Sequence, residues 1–171
     1  MSLESPNITV EPVTEKFQYR ILKELAEAVW PGTFKEILSP EQINYMLKMM
    51  YDLPVIEKEI TDGISYFIVM DDSGPVGYIS YGPYGKDSVK LHKCYLMAPY
   101  QGRGIGSKML QVAITQAKES GASALRLNVN KKNERAIKAY LRNGFETVEN
   151  VKVDIGNGFF MDDFVMEIKI K

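Results

Sequence analysis

The sequence predicts a single α/β domain over residues 1–171, in which about four helices flank a mixed sheet of about seven strands. Helical patterns alternate with β-rich runs, the middle of the chain has strand–helix–strand order, and hairpin turns join strands on both sides of it. Strand–helix–strand order implies parallel strands, whereas hairpins imply antiparallel ones. One sheet therefore contains both kinds of pairing.

Local signals define the elements of the first 60 residues. Alternating polarity predicts a strand, and apolar residues at helical spacing predict helices. Pro31 and Gly32 are expected to end the first helix. Ser39, with Gln42 three residues later, predicts the N-cap of the second helix, and residues 53–60 are compatible with a short extra helix. The predicted elements are a strand over residues 8–13, a helix over 15–29 and a helix over 39–50.

β-rich runs dominate from residue 64 onward. The turn of sequence DDSG at residues 71–74 has the composition of a hairpin. Apolar residues recur every four positions after residue 105 and predict a helix that Gly121 ends. Glycines at 156 and 158 separate the last two strands. The predicted elements are strands over 64–70, 76–81 and 88–97, a helix ending at 120, a strand over 124–129, a helix over 133–144, and strands over 145–154 and 159–170.

The composition is that of an ordinary globular protein. Hydrophobic residues make up 45% of the 171 residues, and the net charge of -1 predicts no nucleic-acid or membrane partner. A single cysteine rules out an internal disulfide and favours a cytoplasmic location. Residues 1–6 do not resemble a signal peptide, and no run reaches the roughly 20 apolar residues that span a bilayer. One histidine and one cysteine predict no metal site.

The most informative segment is the turn of sequence QGRGIGS at residues 101–107, between a strand and an amphipathic helix. Its alternate glycines remove Cβ atoms where a ligand would approach the backbone. The free N–H groups at the start of the helix suit a pyrophosphate, and Arg103 can add a charged contact. A plain glycine-rich loop and a Rossmann dinucleotide site are the alternatives. Serine at position 107 and the lack of an acidic residue ending the next strand count against the Rossmann site.

Two motifs carry a resemblance to a known family. Gln101-x-x-Gly104-x-Gly106 is similar to the acetyl-CoA pyrophosphate loop of the GNAT acetyltransferases. About thirty residues later, the segment from Asn133 to Phe145 resembles the N-x-x-A-x-x-x-Y-x-x-x-G-F helix of the same family. The resemblance covers residues 64–170. It implies the GNAT fold, acetyl-CoA as cofactor, and transfer of acetyl to a primary amine by direct attack in a ternary complex.

The resemblance also assigns the cofactor residues. It implies that the backbone of residues 94–96 pairs with pantetheine in a gap between parallel strands, and that Asn133 bonds pantetheine or caps its helix. Tyr140 would protonate the departing sulfur, and a core tyrosine is the alternative. Cys94 is expected to be a small buried residue rather than a nucleophile. The assigned residues are Cys94, Tyr95, Leu96, Gln101, Gly102, Arg103, Gly104, Ile105, Gly106, Ser107, Asn128, Asn133, Ala136 and Tyr140.

The attacking amine has to lose a proton, which requires an acceptor. His92 is the only histidine, and the intrinsic pKa of an imidazole suits a base at neutral pH. Many GNAT relatives have a glutamate near this position, so His92 departs from the family pattern. A water relay, a hydroxyl group and a purely structural histidine are the alternatives.

Substrate choice is expected to depend on the flanking segments. Residues 30–46 and 154–166 resemble bacterial spermine/spermidine acetyltransferases of the PaiA kind, which implies a small amine, with a polyamine favoured. A peptide or protein amine and a non-catalytic acyl-CoA sensor are the alternatives, and a homodimer is compatible with the family. A polycation needs carboxylates opposite aromatic rings. The eligible residues are Trp30, Phe34, Glu36, Tyr45, Asp162 and Asp163.

Overall fold

The computed structural model describes residues 7–171, in which seven strands form one mixed sheet. The prediction that residues 1–6 do not form a signal peptide therefore concerns residues outside the described part of the chain. The strands are β1 (Thr9–Pro12), β2 (Ser65–Asp71), β3 (Gly74–Tyr84), β4 (Ser88–Leu96), β5 (Ala124–Asn130), β6 (Glu146–Gly156) and β7 (Phe159–Lys169). Their order is β1-β2-β3-β4-β5-β7-β6, and every neighbouring pair is antiparallel except β4 and β5.

Five α-helices cover the two faces of this sheet within the described range. They are α1 (Phe17–Phe34), α2 (Pro40–Tyr51), α3 (Leu53–Thr61), α4 (Ile105–Glu119) and α5 (Glu134–Arg142). The apolar sides of α1, α2 and α3 share one buried cluster, and those of α4 and α5 pack into the other. The predicted fold class is confirmed, and the short segment after residue 52 is the fifth helix. No helix in residues 7–171 is long and apolar enough to cross a membrane.

The predicted end of α1 at Pro31 and Gly32 is wrong, because the helix continues to Phe34. A proline inside a helix costs about 3 kcal/mol. Trp30 and Phe34, one turn apart, are 1% and 6% exposed with ring centroids 4.6 Å apart. Burying two aromatic side chains contributes roughly 3–6 kcal/mol, which offsets the loss at the proline.

The predicted N-cap of α2 is confirmed. Ser39 has extended backbone (ψ 154°), and its hydroxyl accepts a hydrogen bond from the backbone N–H of Gln42 at 3.1 Å. The Gln42 side chain does not return to Ser39. Its Nε2 donates instead to the carbonyl of Phe160 at 2.8 Å, which joins α2 to β7.

The parallel strands β4 and β5 separate part-way along their length. Their register ends at Leu91 and Leu127, and beyond it the two strands form no further pair in the described residues. β4 nevertheless continues to Leu96, which pairs with Gly77 of β3 on its other edge. A register shift in the β3–β4 ladder leaves His92 without a partner on β3. The sheet therefore has a gap between β4 and β5.

Candidate functional site

The gap between β4 and β5 opens into a cavity of about 1070 Å³. Its walls come from both faces of the sheet, with α1 and α2 on one side and α4 and α5 on the other. Two ligands can therefore meet from opposite faces. The predicted site residues that line the cavity are Trp30, Phe34, His92, Cys94, Tyr95, Leu96, Gln101, Gly102, Gly104, Gly106, Ser107, Asn128, Asn133, Ala136, Tyr140 and Asp163.

The glycine-rich turn presents free backbone donors to this cavity. Gly104 caps α4 with φ 81°, a left-handed conformation that favours glycine. Among the described residues, no protein acceptor receives a hydrogen bond from the backbone N–H groups of residues 104–107. The side-chain Nε2 of Gln101 donates to the carbonyl of Leu96 at 2.9 Å, which ties the turn to the end of β4. Free N–H groups and the α4 dipole together suit a diphosphate.

Two side chains of the turn lie outside the cavity walls. Ile105 is 2% exposed and packs in the core beneath α4. The Arg103 guanidinium carbon lies 5.7 Å from the centre of the Tyr100 ring. A cofactor contact by Ile105 is therefore limited to its backbone N–H, and one by Arg103 requires its side chain to leave Tyr100.

Tyr140 on α5 faces the cavity with its phenol. Its ring packs on Phe145 at a centroid distance of 5.7 Å. Its hydroxyl has no hydrogen-bond partner within residues 7–171. Burial raises the pKa of Tyr140 well above the usual value, and Cys94 and Tyr95 raise it further. The phenol is therefore protonated at neutral pH and has a proton to donate.

The two asparagines predicted to contact the cofactor both line the cavity. Asn133 caps α5, because its side-chain oxygen accepts a hydrogen bond from the backbone N–H of Ala136 at 3.3 Å. This cap accounts for Asn133 without a ligand. Asn128 lies on the face of β5 opposite the core residues Leu127 and Val129, on the same side of the sheet as α1 and α2.

Cys94 and His92 lie two residues apart on β4, and both line the cavity. Burial raises the pKa of the Cys94 thiol to about 12, so the thiol is protonated at neutral pH, and its expected lack of a nucleophilic role stays a prediction. His92 is exposed to the cavity, whose walls nevertheless desolvate the imidazole. This desolvation, followed by the charges of Lys90 and Lys93, lowers the pKa of His92 to about 4. His92 is neutral at pH 7 but weakly basic, and its catalytic role stays a prediction.

An aromatic wall forms the α1 side of the cavity. The indole Nε1 of Trp30 lies within hydrogen-bond distance of the hydroxyls of Tyr51 (3.2 Å) and Tyr78 (3.3 Å). The indole N–H of Trp30 is therefore already hydrogen-bonded within the protein. The Tyr95 ring lies 5.7 Å from Trp30 and 6.2 Å from Phe34, and it completes the wall.

Tyr45 and Asp162, which were predicted to bind substrate, do not line the cavity. The Tyr45 hydroxyl donates to the carbonyl of Ile155 at 2.5 Å. Asp162 is half exposed and forms a salt bridge of 2.9 Å with Lys131. Both side chains have structural partners that account for them.

Glu59 and Lys93 form a charged pair that the sequence analysis does not predict, and both line the cavity. Glu59 of α3 lies 3.0 Å from the Lys93 Nζ and accepts a hydrogen bond of 2.6 Å from the Tyr66 hydroxyl. Lys93 also donates to the Tyr66 hydroxyl. Glu59 and Lys93 are 34 positions apart on different elements, so no local spacing links them.

Asp163 on β7 is the one acidic side chain in residues 7–171 that is fully buried, at 3% exposure. Burial, with Asp162 next to it, raises the pKa of Asp163 to about 6. Lys90, Asn128 and Lys131 act in the opposite direction. A carboxyl of this pKa changes its protonation state near neutral pH.

Sequence comparisons place the chain among acetyltransferases. A family model described as the acetyltransferase (GNAT) family matches residues 22–145. An uncharacterized N-acetyltransferase of Methanocaldococcus jannaschii is 30% identical over 97 residues, which are 53% of this chain and 43% of that protein. The mycothiol acetyltransferase of Corynebacterium aurimucosum is 27% identical over 154 residues, which are 83% of this chain and 50% of that protein. The chain thus spans half or less of these relatives' length.

Among solved structures, the chain is similar to the PaiA N-acetyltransferase of Thermoplasma acidophilum in complex with coenzyme A. The two share 25% identity with a TM-score of 0.81. The similarity covers 95% of this chain and 99% of that one. The resemblance predicted from the two motifs is confirmed.

Proposed function

Because the chain belongs to the acetyltransferase (GNAT) family, we propose that it transfers the acetyl group of acetyl-CoA to a primary amine. The amine attacks the thioester directly in a ternary complex. The observation that carries this proposal is the row of free N–H groups at residues 104–107, placed where the cavity enters the β4–β5 gap. Acetyl-CoA is the cofactor of this family, as predicted, and the related PaiA structure contains coenzyme A.

The residues of the gap fit this cofactor. Acetyl-CoA supplies the activated acetyl group when bound. The free N–H groups of residues 104–107 hold the diphosphate, and the unpaired edge of β4 over residues 94–96 pairs with the pantetheine amides. Tyr140 donates its phenolic proton to the leaving sulfur. This last function separates an enzyme from an acyl-CoA sensor, because binding alone requires no proton donor.

A small amine is the acceptor that the cavity suits, and a polyamine is the first to test. The carboxylates of Glu59 and Asp163 attract ammonium groups, and Phe34 and Tyr95 offer aromatic faces. Lys90 also lines the cavity and faces Asp163. The cytoplasmic location and the homodimer expected from the sequence stay predictions.

Calorimetric titration with acetyl-CoA, followed by an acceptor panel, tests the proposal. We expect saturable binding and then release of free CoA thiol with at least one amine. The panel contains spermidine, an aminoglycoside, free amino acids and a peptide with a free N-terminus. No heat and no thermal shift at millimolar acetyl-CoA would end the proposal. Binding without thiol release from any acceptor favours the sensor, and release with the peptide alone favours a protein acetyltransferase.

A further inference from the structure

Asp163 is a buried carboxylate without a salt-bridge partner in residues 7–171. It lines the cavity from β7 at 3% exposure, yet within residues 7–171 it forms no salt bridge, and its hydrogen-bonding neighbour is the neutral Asn128 amide. Its neighbour Asp162, by contrast, is half exposed and paired with Lys131. Buried carboxylates are normally paired, because an unpaired one is costly to desolvate. Stability therefore does not account for Asp163, and its place in a cavity indicates a functional group.

Asp163 lies at the gap where the two ligands would meet. In the β5–β7 ladder it is opposite Asn130, on the stretch of β5 that has already separated from β4. Asp163, Tyr95 and Tyr140 all line the cavity at this gap. An amine held in the cavity beside Asp163 would lie at the gap that Tyr140 also lines.

The other two candidate proton acceptors in the cavity are less suitable. The Glu59 carboxylate already accepts hydrogen bonds from Lys93 and Tyr66. His92 lies between Lys90 and Lys93 on β4, and its lowered pKa makes it a weak base. Of the three, Asp163 combines access to the cavity with the least occupied carboxylate, since its hydrogen-bonding neighbour is a single neutral amide.

We propose that Asp163 is the proton acceptor of the reaction, a proposal that rests on the proposed acetyltransferase function. The bound ammonium gives one proton to an Asp163 oxygen, and the neutral nitrogen attacks the thioester carbon. The C–N bond forms and the C–S bond breaks. The leaving sulfur takes a proton from Tyr140, and Tyr140 recovers it from the nitrogen as the amide forms. Asp163 then releases its proton to solvent, so each turnover yields one amide, one CoA thiol and one proton.

The surroundings of Asp163 suit this function at neutral pH. The charged groups that face it are Lys90 from β4, Lys131 after β5 and its neighbour Asp162, with the Asn128 amide beside it. Together with burial they place the pKa of Asp163 at about 6, close to the value that favours a base at neutral pH. The group is thus ionised and able to accept a proton above pH 6.

Asp163→Asn, with Asp162→Asn as the matched control, tests this proposal. The readouts are kcat/KM from pH 5 to 9, measured by thiol release, and acetyl-CoA affinity by calorimetry. We expect Asp163→Asn to lose about 100-fold or more in kcat/KM together with the acidic limb of the wild-type profile, whereas CoA affinity is unchanged. The Asp162→Asn and His92→Gln variants should keep the acidic limb of the kcat/KM profile. Asp163→Glu, which keeps the charge, should retain a limb at reduced rate.

Two results separate the failure of this proposal from that of the acetyltransferase function. An active wild-type enzyme whose Asp163→Asn variant keeps the acidic limb and wild-type kcat/KM overturns only the assignment of Asp163. A wild-type protein that transfers acetyl to no amine overturns the acetyltransferase function and the assignment together. If Asp163→Asn fails to fold by circular dichroism, the Asp163→Glu profile decides, because loss of its limb also contradicts the assignment.

Discussion

The Lys93 ammonium lies 3.0 Å from the Glu59 carboxylate, in a position where the lysine side chain is only 3% exposed. The rings of Tyr51 and Tyr66 flank the same nitrogen, with centroids 5.0 and 4.8 Å away. Burial lowers the pKa of Lys93, whereas Glu59 raises it. The Glu59 carboxylate therefore stabilises the charged form of Lys93, which burial disfavours. This pair joins α3 to β4 and fixes a wall of the cavity.

Lys93→Met should destabilise the protein by about 3 kcal/mol, because it leaves the partly buried Glu59 carboxylate without its cation. The measurement is urea unfolding followed by circular dichroism. Lys16→Met is the control, since Lys16 lies 2.9 Å from Glu57 but the side chains are 80% and 48% exposed. Exposed pairs contribute little, so the control should unfold like the wild type. Equal midpoints for both variants would show that the buried pair adds no stability.

Gly106→Ala should raise the stability of the protein while it weakens acetyl-CoA binding. A Cβ at Gly106 meets no heavy atom within 4 Å, and the residue lies in the first turn of α4. Alanine in a helix is favoured over glycine by roughly 0.5–1 kcal/mol, so the melting temperature should rise. If the diphosphate lies against this turn, the methyl group should weaken acetyl-CoA binding by about tenfold or more.

The control for this change is Gly32→Ala on α1, where a Cβ also meets nothing within 4 Å. This glycine lies on the side of the cavity proposed for the amine. Its replacement should leave acetyl-CoA affinity unchanged by calorimetry. Unaltered affinity in Gly106→Ala as well would place the diphosphate elsewhere.

Local chemistry explains which features the sequence predicts. The Ser39 cap, the turn at Gly104 and the cap at Asn133 depend on hydrogen bonds or backbone conformations within a few residues. A single sequence contains all of that information. The two motifs therefore mark the turn at residues 101–107 and α5, and residues of both line the cavity.

Features that depend on distant partners were not predictable. The continuation of α1 through Pro31 depends on how deeply Trp30 is buried, and the separation of β4 from β5 depends on packing across the sheet. The weak basicity of His92 arises from desolvation and from its lysine neighbours. No local sequence pattern marks Glu59 as a site residue, because its contacts form only when α3 packs against β4. The acid–base chemistry of the cavity is therefore set by tertiary structure.

Tyr140→Phe should lower kcat by about 100-fold while acetyl-CoA affinity stays within about twofold, because it removes only the proton donor for sulfur. Thiol release and calorimetry give the two values. Tyr45→Phe is the control, because the Tyr45 hydroxyl bonds to the Ile155 carbonyl outside the cavity. It should lose some stability and no kcat. Unchanged turnover in Tyr140→Phe would remove this phenol from the mechanism.

Asp163→Asn should become more stable relative to wild type as the pH rises. The pKa of Asp163 is about 6 in the folded protein, above its ordinary value of 3.8. Between these values the folded state binds more protons than the unfolded state, so wild-type stability falls as the pH rises through that window. A shift from 3.8 to about 6 corresponds to at most about 3 kcal/mol, and solvent in the cavity screens part of it, so the variant should gain about 1–3 kcal/mol over wild type between pH 4 and pH 7.

Urea unfolding of both proteins at several pH values measures this difference, in which the titration of all other groups largely cancels. Asp162→Asn should show the opposite trend, because Lys131 lowers the pKa of Asp162. Its carboxylate therefore contributes stability that is present at neutral pH and lost on acidification. A stability difference between Asp163→Asn and wild type that is flat from pH 4 to pH 7 would mean that Asp163 titrates normally. In that case Asp163 could not be the base that becomes active near pH 6.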